Sequence, residues 1–424
     1  MTETTPTISV LEYGRLDFGE GPQCLAPREA VLLEELPPDV CRKAFTRDEQ
    51  GITFSHYVGM LRVGDRAIEI LPKVARAQSA SSRIHLRRML VYLLALAGEV
   101  PWAAAGSAAL AEREAPLLEA YIHAFAAECA RLLRRGAVKD YVQREAETEY
   151  LRGALRIAEQ IELDMRRVPR FAVRYNEFTA DTRLNRILKD VSNRLAGVTE
   201  STAAWRLLGT IDAMLDDVAD VVHAPHHLCE INLDRRTRAY TRLLRICAAV
   251  LQGWTPEVYA GPTPAFAFVF DMNRIFEDGV RALLRTAGAR VRPREERDAI
   301  LMTRHTSDST DQVRLLPDIV IDSDSGTTVI DTKWKMPSTP GSDATSDLYQ
   351  AYAYARTYRV RRTILLYPTA GEVPAVPDAK YDLDTAPPQW IESWRVCLTC
   401  GAQTLDEYCQ AVGERLSTIL GYRS

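Results

Sequence analysis

The sequence predicts an α+β protein: an N-terminal region of short strands and helices, followed by a domain with an αβββαβ core. Three observations carry this reading. An amphipathic helix over 271–287 precedes a run of short apolar strands. Two of those strands, Ile319 to Ile321 and Thr328 to Ile330, flank the turn cluster Ser323-Asp324-Ser325-Gly326. A second helix, over 345–358, then separates this hairpin from a buried strand at Thr363 to Tyr367. The boundaries that follow are 1–175 (a β-rich module over 1–78, then helices), a helical connector over 176–260, and the αβββαβ domain over 261–424.

In chain order, residues 8–75 read as short strands. The segments Thr53 to Val63 and Ala67 to Leu71 form a hairpin about Gly64-Asp65-Arg66, and Pro72 ends it. Helices are expected over 83–99 and 116–135; the second closes on Arg134-Arg135-Gly136. Residues 138–175 are mixed and charged, with Tyr150 to Gly153 and Tyr175 to Asp181 as polar–aromatic loops. Thr182 is the N-cap of a helix whose buried face is Leu184, Ile187, Leu188, Val191 and Leu195. Helices over 202–217 and 235–252 follow. Trp254 to Pro264 reads as a linker.

In the C-terminal domain, Met272, Ile275, Phe276, Val280, Leu283 and Leu284 form the apolar face of the first helix, with Glu277 at its edge. Residues 289–303 read as one arginine-rich strand, and Arg290, Arg292, Arg294 and Arg297 are candidates for phosphate contact. The hairpin register places Ile319 opposite Ile330, Val320 opposite Val329, and Asp318 opposite Asp331. Side chains so opposed lie roughly 5 Å apart at Cβ, and two carboxylates that close repel unless a proton or cation joins them. Lys333 projects from the same face as Asp331. Such a set can bind a hard divalent ion and position a water. The bland alternative is a hairpin with solvated charges. Asp347, Gln350 and Tyr354 share one face of the 345–358 helix.

Composition bounds the function. A 424-residue chain with 46% hydrophobic and 26% charged residues is long enough for two or three globular domains. Its net charge of −4 supplies no global basic field, so a nucleic-acid role needs a local patch or a partner. No export signal is visible and the longest apolar run is too short for a bilayer. Eight scattered cysteines fit a reducing cytoplasm. Cys397 and Cys400 form a lone CxxC without the second pair a structural zinc requires, and read as plain thiols. The cluster His223, His226 and His227 reads as an exposed loop. No P-loop motif occurs, so any nucleotide hydrolysis belongs to another protein.

The Asp…Asp-x-Lys pattern, with Pro317-Asp318 supplying a literal PD, resembles the PD-(D/E)xK nucleases, whose core has the element order read here. More of the chain resembles the McrC family, the nuclease subunits of McrBC modified-cytosine restriction systems. The matching stretches are EYGR at Glu12–Arg15, AIEILPKV at Ala67–Val74, YLRG at Tyr150–Gly153, and YNEFTADTRLNRILK at Tyr175–Lys189. MNRIFEDGV at Met272–Val280 and LLPDIVI…VIDTKWK at Leu315–Lys335 complete the set. Residues 300–314 and those past Pro368 match weakly.

The resemblance implies a Mg²⁺-dependent endodeoxyribonuclease subunit. Its N-terminal region would dock on a hexameric McrB-type AAA+ GTPase, stimulate GTP hydrolysis, and cut double-stranded, methylcytosine-containing DNA in the cytoplasm, with no membrane involved. It assigns catalysis to Asp318, Asp331 and Lys333, with Glu277 and Gln350 as further members. The metal would be held by Asp318, Asp331, the Thr332 carbonyl and Glu277. Arg290, Arg292, Arg294 and Tyr354 would contact DNA, Tyr354 and Gln350 alternatively bracing the site. Two other readings stay open: a non-cleaving activator of an AAA+ ring, and a stand-alone repair nuclease.

Overall fold

A computed structural model describes residues 7–21, 23–33, 43–63, 66–74, 80–100, 117–221, 228, 231, 233–253, 266–305, 310–324, 326–337, 339, 341–371 and 373–421. The His223/His226/His227 cluster, the linker over 254–264, and Gly64, Asp65 and Ser325 of the two hairpin turns lie outside the described residues. The chain is α+β, and it divides into two compact units. One joins residues 1–121 to 253–424; the other comprises 122–252.

These units do not follow the boundaries at 175 and 260. The reason is a strand that periodicity did not reveal. Phe266–Asp271 runs antiparallel to Tyr57–Val63, with Phe268 opposite Met60. It completes a four-stranded sheet with Arg66–Leu71 and Thr7–Leu11, the last pair parallel. The expected hairpin of Tyr57–Val63 with Arg66–Leu71 is present. The expected strand from Thr53 is two strands, Gly51–Phe54 and Tyr57–Val63, because Ser55 and His56 break it. Gly51–Phe54 lies between Arg15–Asp17 and Phe45–Arg47 in a separate three-stranded sheet.

Strand Phe266–Asp271 runs directly into the helix Met272–Thr286, whose first turn is capped by the Asp271 carboxylate accepting from Asn273 N at 2.9 Å. All six apolar positions read from the sequence are buried on this helix. It packs against helix Ala80–Ala97 and helix Leu405–Leu420. The second of these lies in the stretch past Pro368, where the family resemblance is weak.

The six-stranded sheet beside it has the order Arg290–Val291, Ile319–Ser323, Gly326–Thr332, Arg362–Thr369, Gln389–Cys397, Ala379–Leu383. The hairpin register is the one read from the sequence: Ile319 pairs with Ile330 and Val320 with Val329. Gly326–Thr332 then pairs parallel with Arg362–Thr369. Helix Thr345–Tyr358 makes the crossover between them. Val320 and Val329 pack with Tyr354 and Val360, so the hairpin is apolar on a helix-covered face.

The single strand expected over 289–303 is not there. Arg290–Val291 is a two-residue edge strand. Pro293 then opens a 3₁₀ turn, Arg294–Glu296, and Ala299–His305 pairs with Thr310–Leu315 in its own two-stranded ribbon. Proline cannot continue a ladder, and here it ends one.

In the unit of residues 122–252, the Thr182 cap is present, its hydroxyl accepting from Asn185 N at 3.3 Å. The helix Arg183–Ala196 buries the five predicted residues. Asp140–Thr148 pairs with Phe171–Thr179 along its whole length, although 138–175 read as mixed and Tyr175 to Asp181 as a loop. A ribbon exposed on most of its length has no apolar alternation to detect. Two motif stretches meet on it. The Arg152 guanidinium stacks 3.4 Å above the Tyr175 ring. Gly153, at φ 66°, comes so close that a β-carbon would sit 2.3 Å from Arg174 O. Residues 235–252 are a short 3₁₀ turn, Arg238–Tyr240, followed by helix Thr241–Gly253.

Candidate active site

The two hairpin strands bring Asp318 and Asp331 together. Asp331 sits near the end of Gly326–Thr332 and is only 1% exposed. Asp318 stands one residue before Ile319–Ser323. Its Oδ2 accepts from both Thr332 N and Thr332 Oγ1 at 2.7 Å. That clamp fixes one carboxylate against the strand that carries the other.

Burial, and then the charge of Asp318, push the Asp331 carboxyl up to about 7, against the pull of Lys333. The Lys333 ammonium lies 2.6 Å from Asp331 Oδ2. This is a short ion pair, and Lys333 opposes the rise that burial and Asp318 impose on Asp331. Lys333 Nζ also donates to Gln350 Oε1 at 2.7 Å, and Gln350 Nε2 donates to the Tyr354 hydroxyl at 2.8 Å. The backbone N–H of Lys333 donates to Leu366 O at 2.9 Å, so the lysine leaves from a fixed chain. Lys335 pairs with Asp347 at 2.6 Å, and Asp347 accepts from the Tyr367 hydroxyl at 2.9 Å.

Glu277 comes to the same end of the sheet but is occupied differently. Its Oε1 accepts from Arg281, and Arg297 lies 3.8 Å away. Burial, followed by the nearby Asp318 charge, raises its carboxyl. Arg281 also donates to Asp318 O at 3.1 Å, and Arg297 donates to Pro317 O at 3.0 Å. Two guanidinium groups therefore hold both Glu277 and the backbone that presents Asp318. Arg297, read as a phosphate contact, is 2% exposed and serves this internal role.

The other residues expected at DNA sit as follows. Tyr354 is 2% exposed and packs in the core under the site, where burial keeps its phenol neutral, so it braces Gln350. Arg292 makes a two-bond ion pair with Asp322 at 2.7 Å, and Arg290 pairs with Asp324, both at the sheet edge. Arg294 lies in the 3₁₀ turn.

A divalent ion fits this donor set. Asp331 Oδ2 is a buried carboxylate oxygen beside the Lys333 ammonium, and the adjacent Asp318 charge opposes its ionisation. Mg²⁺ takes hard oxygen ligands, commonly one or two carboxylates with the rest from water and substrate phosphate. Among the described residues no group of three His, Cys, Asp or Glu side chains is arranged for a metal. The fit is thus to the two aspartates, and Glu277, expected as a third acidic ligand, is taken by arginines. Thr332 donates through its N–H and hydroxyl to Asp318. The thiols of Cys397, Cys400 and Cys409 are free.

One stability consequence follows. The native chain keeps a proton on Asp331 up to about pH 7, whereas the free side chain releases it near 3.8. The folded state binds more protons in that window, so its stability falls as pH rises through it and levels off above. In EDTA, Asp331→Asn should flatten this slope and melt a few kelvin higher than the parent at neutral pH. Thermal unfolding across the window checks this; equal slopes in both proteins would contradict it.

Fold and site together define an α+β protein with a two-aspartate, one-lysine centre at the end of a mixed sheet. By sequence, the chain belongs to the McrBC family, described as a 5-methylcytosine restriction system component, whose profile matches residues 52–368. Among solved structures it is similar to a chain in the refined half-complex from a tetradecameric assembly of Thermococcus gammatolerans McrB AAA+ hexamers with bound McrC. The TM-score is 0.66 at 18% identity, over 97% of this chain and 100% of that one. It is also similar to a chain in the cryo-EM structure of the Thermococcus gammatolerans McrBC complex, with TM-score 0.49 and 21% identity over 68% and 89%. No curated protein sequence matches it. Among the described residues, no helix is long and apolar enough to cross a membrane.

Proposed function

We propose that this chain is the DNA-cutting subunit of its restriction system, a Mg²⁺-dependent endodeoxyribonuclease of the PD-(D/E)xK type acting on methylcytosine-containing DNA. The observation that carries this is the meeting of Asp318, buried Asp331 and Lys333 at the end of one hairpin, with the lysine 2.6 Å from the carboxylate. The sheet supports it: helix Met272–Thr286, the hairpin, helix Thr345–Tyr358 and strand Arg362–Thr369 follow in the order that core requires.

Asp318 and Asp331 would hold the ion, which when bound neutralises phosphate charge and acidifies a water. The remaining work belongs to the chain. Thr332 locks Asp318 in place. Gln350, braced by buried Tyr354, holds the Lys333 ammonium beside Asp331. From there the ammonium can stabilise charge building on the scissile phosphate and orient a water. Arg281 and Arg297 keep the Asp318 backbone rigid, which holds the reacting groups to one geometry. Lys333→Ala separates this from a non-cleaving activator. Nicking should fall about a hundredfold while stimulation of NTP hydrolysis is kept; unchanged nicking would overturn the reading.

The partner is an AAA+ ring of McrB type, the kind of protein the similar solved chain is bound to. We assign the docking surface to residues 122–252. There Tyr141 and Phe178 lie opposite one another with ring centroids 5.1 Å apart, 70% and 56% exposed. Ile157, Ile161 and Met165 are exposed on the helix packed against the same ribbon. An apolar surface of this kind marks an interaction site. Tyr141→Ser combined with Phe178→Ser should weaken binding to the ring at least about thirtyfold, measured by titrating labelled subunit. Unchanged affinity would move the surface elsewhere.

A further inference from the structure

Three motif stretches, one of them the tail of the strand that carries Asp331 and Lys333, converge on one buried carboxylate. Glu12 follows strand Thr7–Leu11 and is 1% exposed. Its Oε1 accepts from Lys73 N at 2.6 Å and from Trp334 Nε1 at 2.9 Å, and its Oε2 accepts from the same indole N–H at 3.1 Å. EYGR, the ILPK end of AIEILPKV and the tail of VIDTKWK therefore meet at a point.

The backbone is shaped for this contact. Tyr13 adopts a left-handed φ of 59°, and Gly14 N donates to Leu11 O at 2.8 Å. A β-carbon at Gly14 would lie 2.6 Å from Leu11 O, so only glycine closes the turn. The turn sends Arg15 outward, where it pairs with Asp17 and Asp48, and leaves Glu12 facing inward.

Trp334 stands between Lys333 and Lys335. Lys335 N donates to Lys333 O at 2.9 Å, closing a tight turn centred on Trp334. The two lysines reach Asp331 and Asp347. The indole packs on Phe276, ring centroids 5.4 Å apart, the residue next to Glu277. Trp334 is thus fixed on one side by Glu12 and on the other by the helix that carries Glu277, just where the chain leaves its strand.

We infer that Glu12 is a positioning residue for the acidic centre: by gripping Trp334, it sets the path of residues 333–335 and so the direction of the Lys333 ammonium. This rests on the nuclease reading above. A buried carboxylate is costly unless its hydrogen bonds are made. Burial pushes the Glu12 carboxyl up, while Lys73 and Trp334 oppose that rise. A purely packing role would be served better by an apolar side chain. The acceptor is needed because the indole N–H, itself buried, must be held in one direction.

A cavity of about 270 Å³ borders Glu12, Lys73, Trp334 and Lys335, so shortening Glu12 leaves room that a small carboxylate can enter. The test uses the full chain with its AAA+ ring, methylcytosine DNA at saturation, Mg²⁺ and single-turnover cleavage. Glu12→Ala and Trp334→Phe should each slow the step by roughly ten- to a hundredfold, with little change in half-saturating DNA and none in ring binding. Glu12→Gln keeps an oxygen for Lys73 N and the indole and should recover most of the rate. Formate should restore part of it to Glu12→Ala. If Glu12→Ala fails to fold, Trp334→Phe carries the test. A parental rate in either folded variant overturns the inference, as does a loss that neither Gln nor formate recovers. Asp331→Asn, run alongside, separates the two layers: if that variant cuts, the nuclease reading itself has failed.

Discussion

Asp331→Asn is expected to lower DNA cleavage by at least about a thousandfold while leaving ring binding and stimulation of NTP hydrolysis intact. The argument is local. Asp331 is buried, its neighbour Asp318 is clamped by Thr332, and Lys333 lies within 2.6 Å. The amide preserves shape and packing but removes the charge that would hold the proposed divalent ion and that pairs with the ammonium. The same substitution relieves a buried like-charge contact, so the variant should be at least as stable as its parent. Loss of activity together with gained or equal stability is the signature of a functional group. Loss of both would mean the aspartate serves the fold.

The second large effect is expected at Arg297. Arg297→Met should cost on the order of 2–3 kcal/mol of stability and also slow cleavage. The guanidinium is 2% exposed, donates to Pro317 O at 3.0 Å and lies 3.8 Å from Glu277. Removing it leaves the Pro317 carbonyl unpaired and Glu277 dependent on Arg281 alone. Burial, then the neighbouring Arg281 charge, lowers the Arg297 side chain from its ordinary value, so the charge is retained at a cost. Denaturant unfolding, with cleavage at fixed DNA, checks the prediction. An unchanged midpoint would show that Arg297 is not the support of the Asp318 segment.

The hairpin was legible because its information is local. Two apolar triplets around a turn cluster admit one register that buries both, and that register opposes Asp318 and Asp331. The helices over 272–286 and 345–358 were legible for the same reason: a periodic apolar stripe needs no knowledge of its partner. What stayed hidden depends on long-range contacts. Glu12 and Trp334 are 322 positions apart, and no spacing rule links them. Strand Phe266–Asp271 has no alternating pattern and is identified by its pairing with Tyr57–Val63, which is why the two compact units cut across the expected boundaries. Glu277 looked like a third acidic ligand because sequence shows its charge but not that Arg281 and Arg297 meet it. Tyr354 looked available to DNA because an aromatic residue two thirds along a helix face reads the same whether that face meets solvent or Val320 and Val329.

Binding of Mn²⁺, a paramagnetic stand-in for Mg²⁺, followed by electron paramagnetic resonance in the parent chain and in Asp318→Asn and Asp331→Asn, tests the acidic centre most directly. One bound ion in the parent, lost in both variants together with cleavage, is the result predicted here. Binding that survives both substitutions, or cleavage that persists in EDTA, would contradict it.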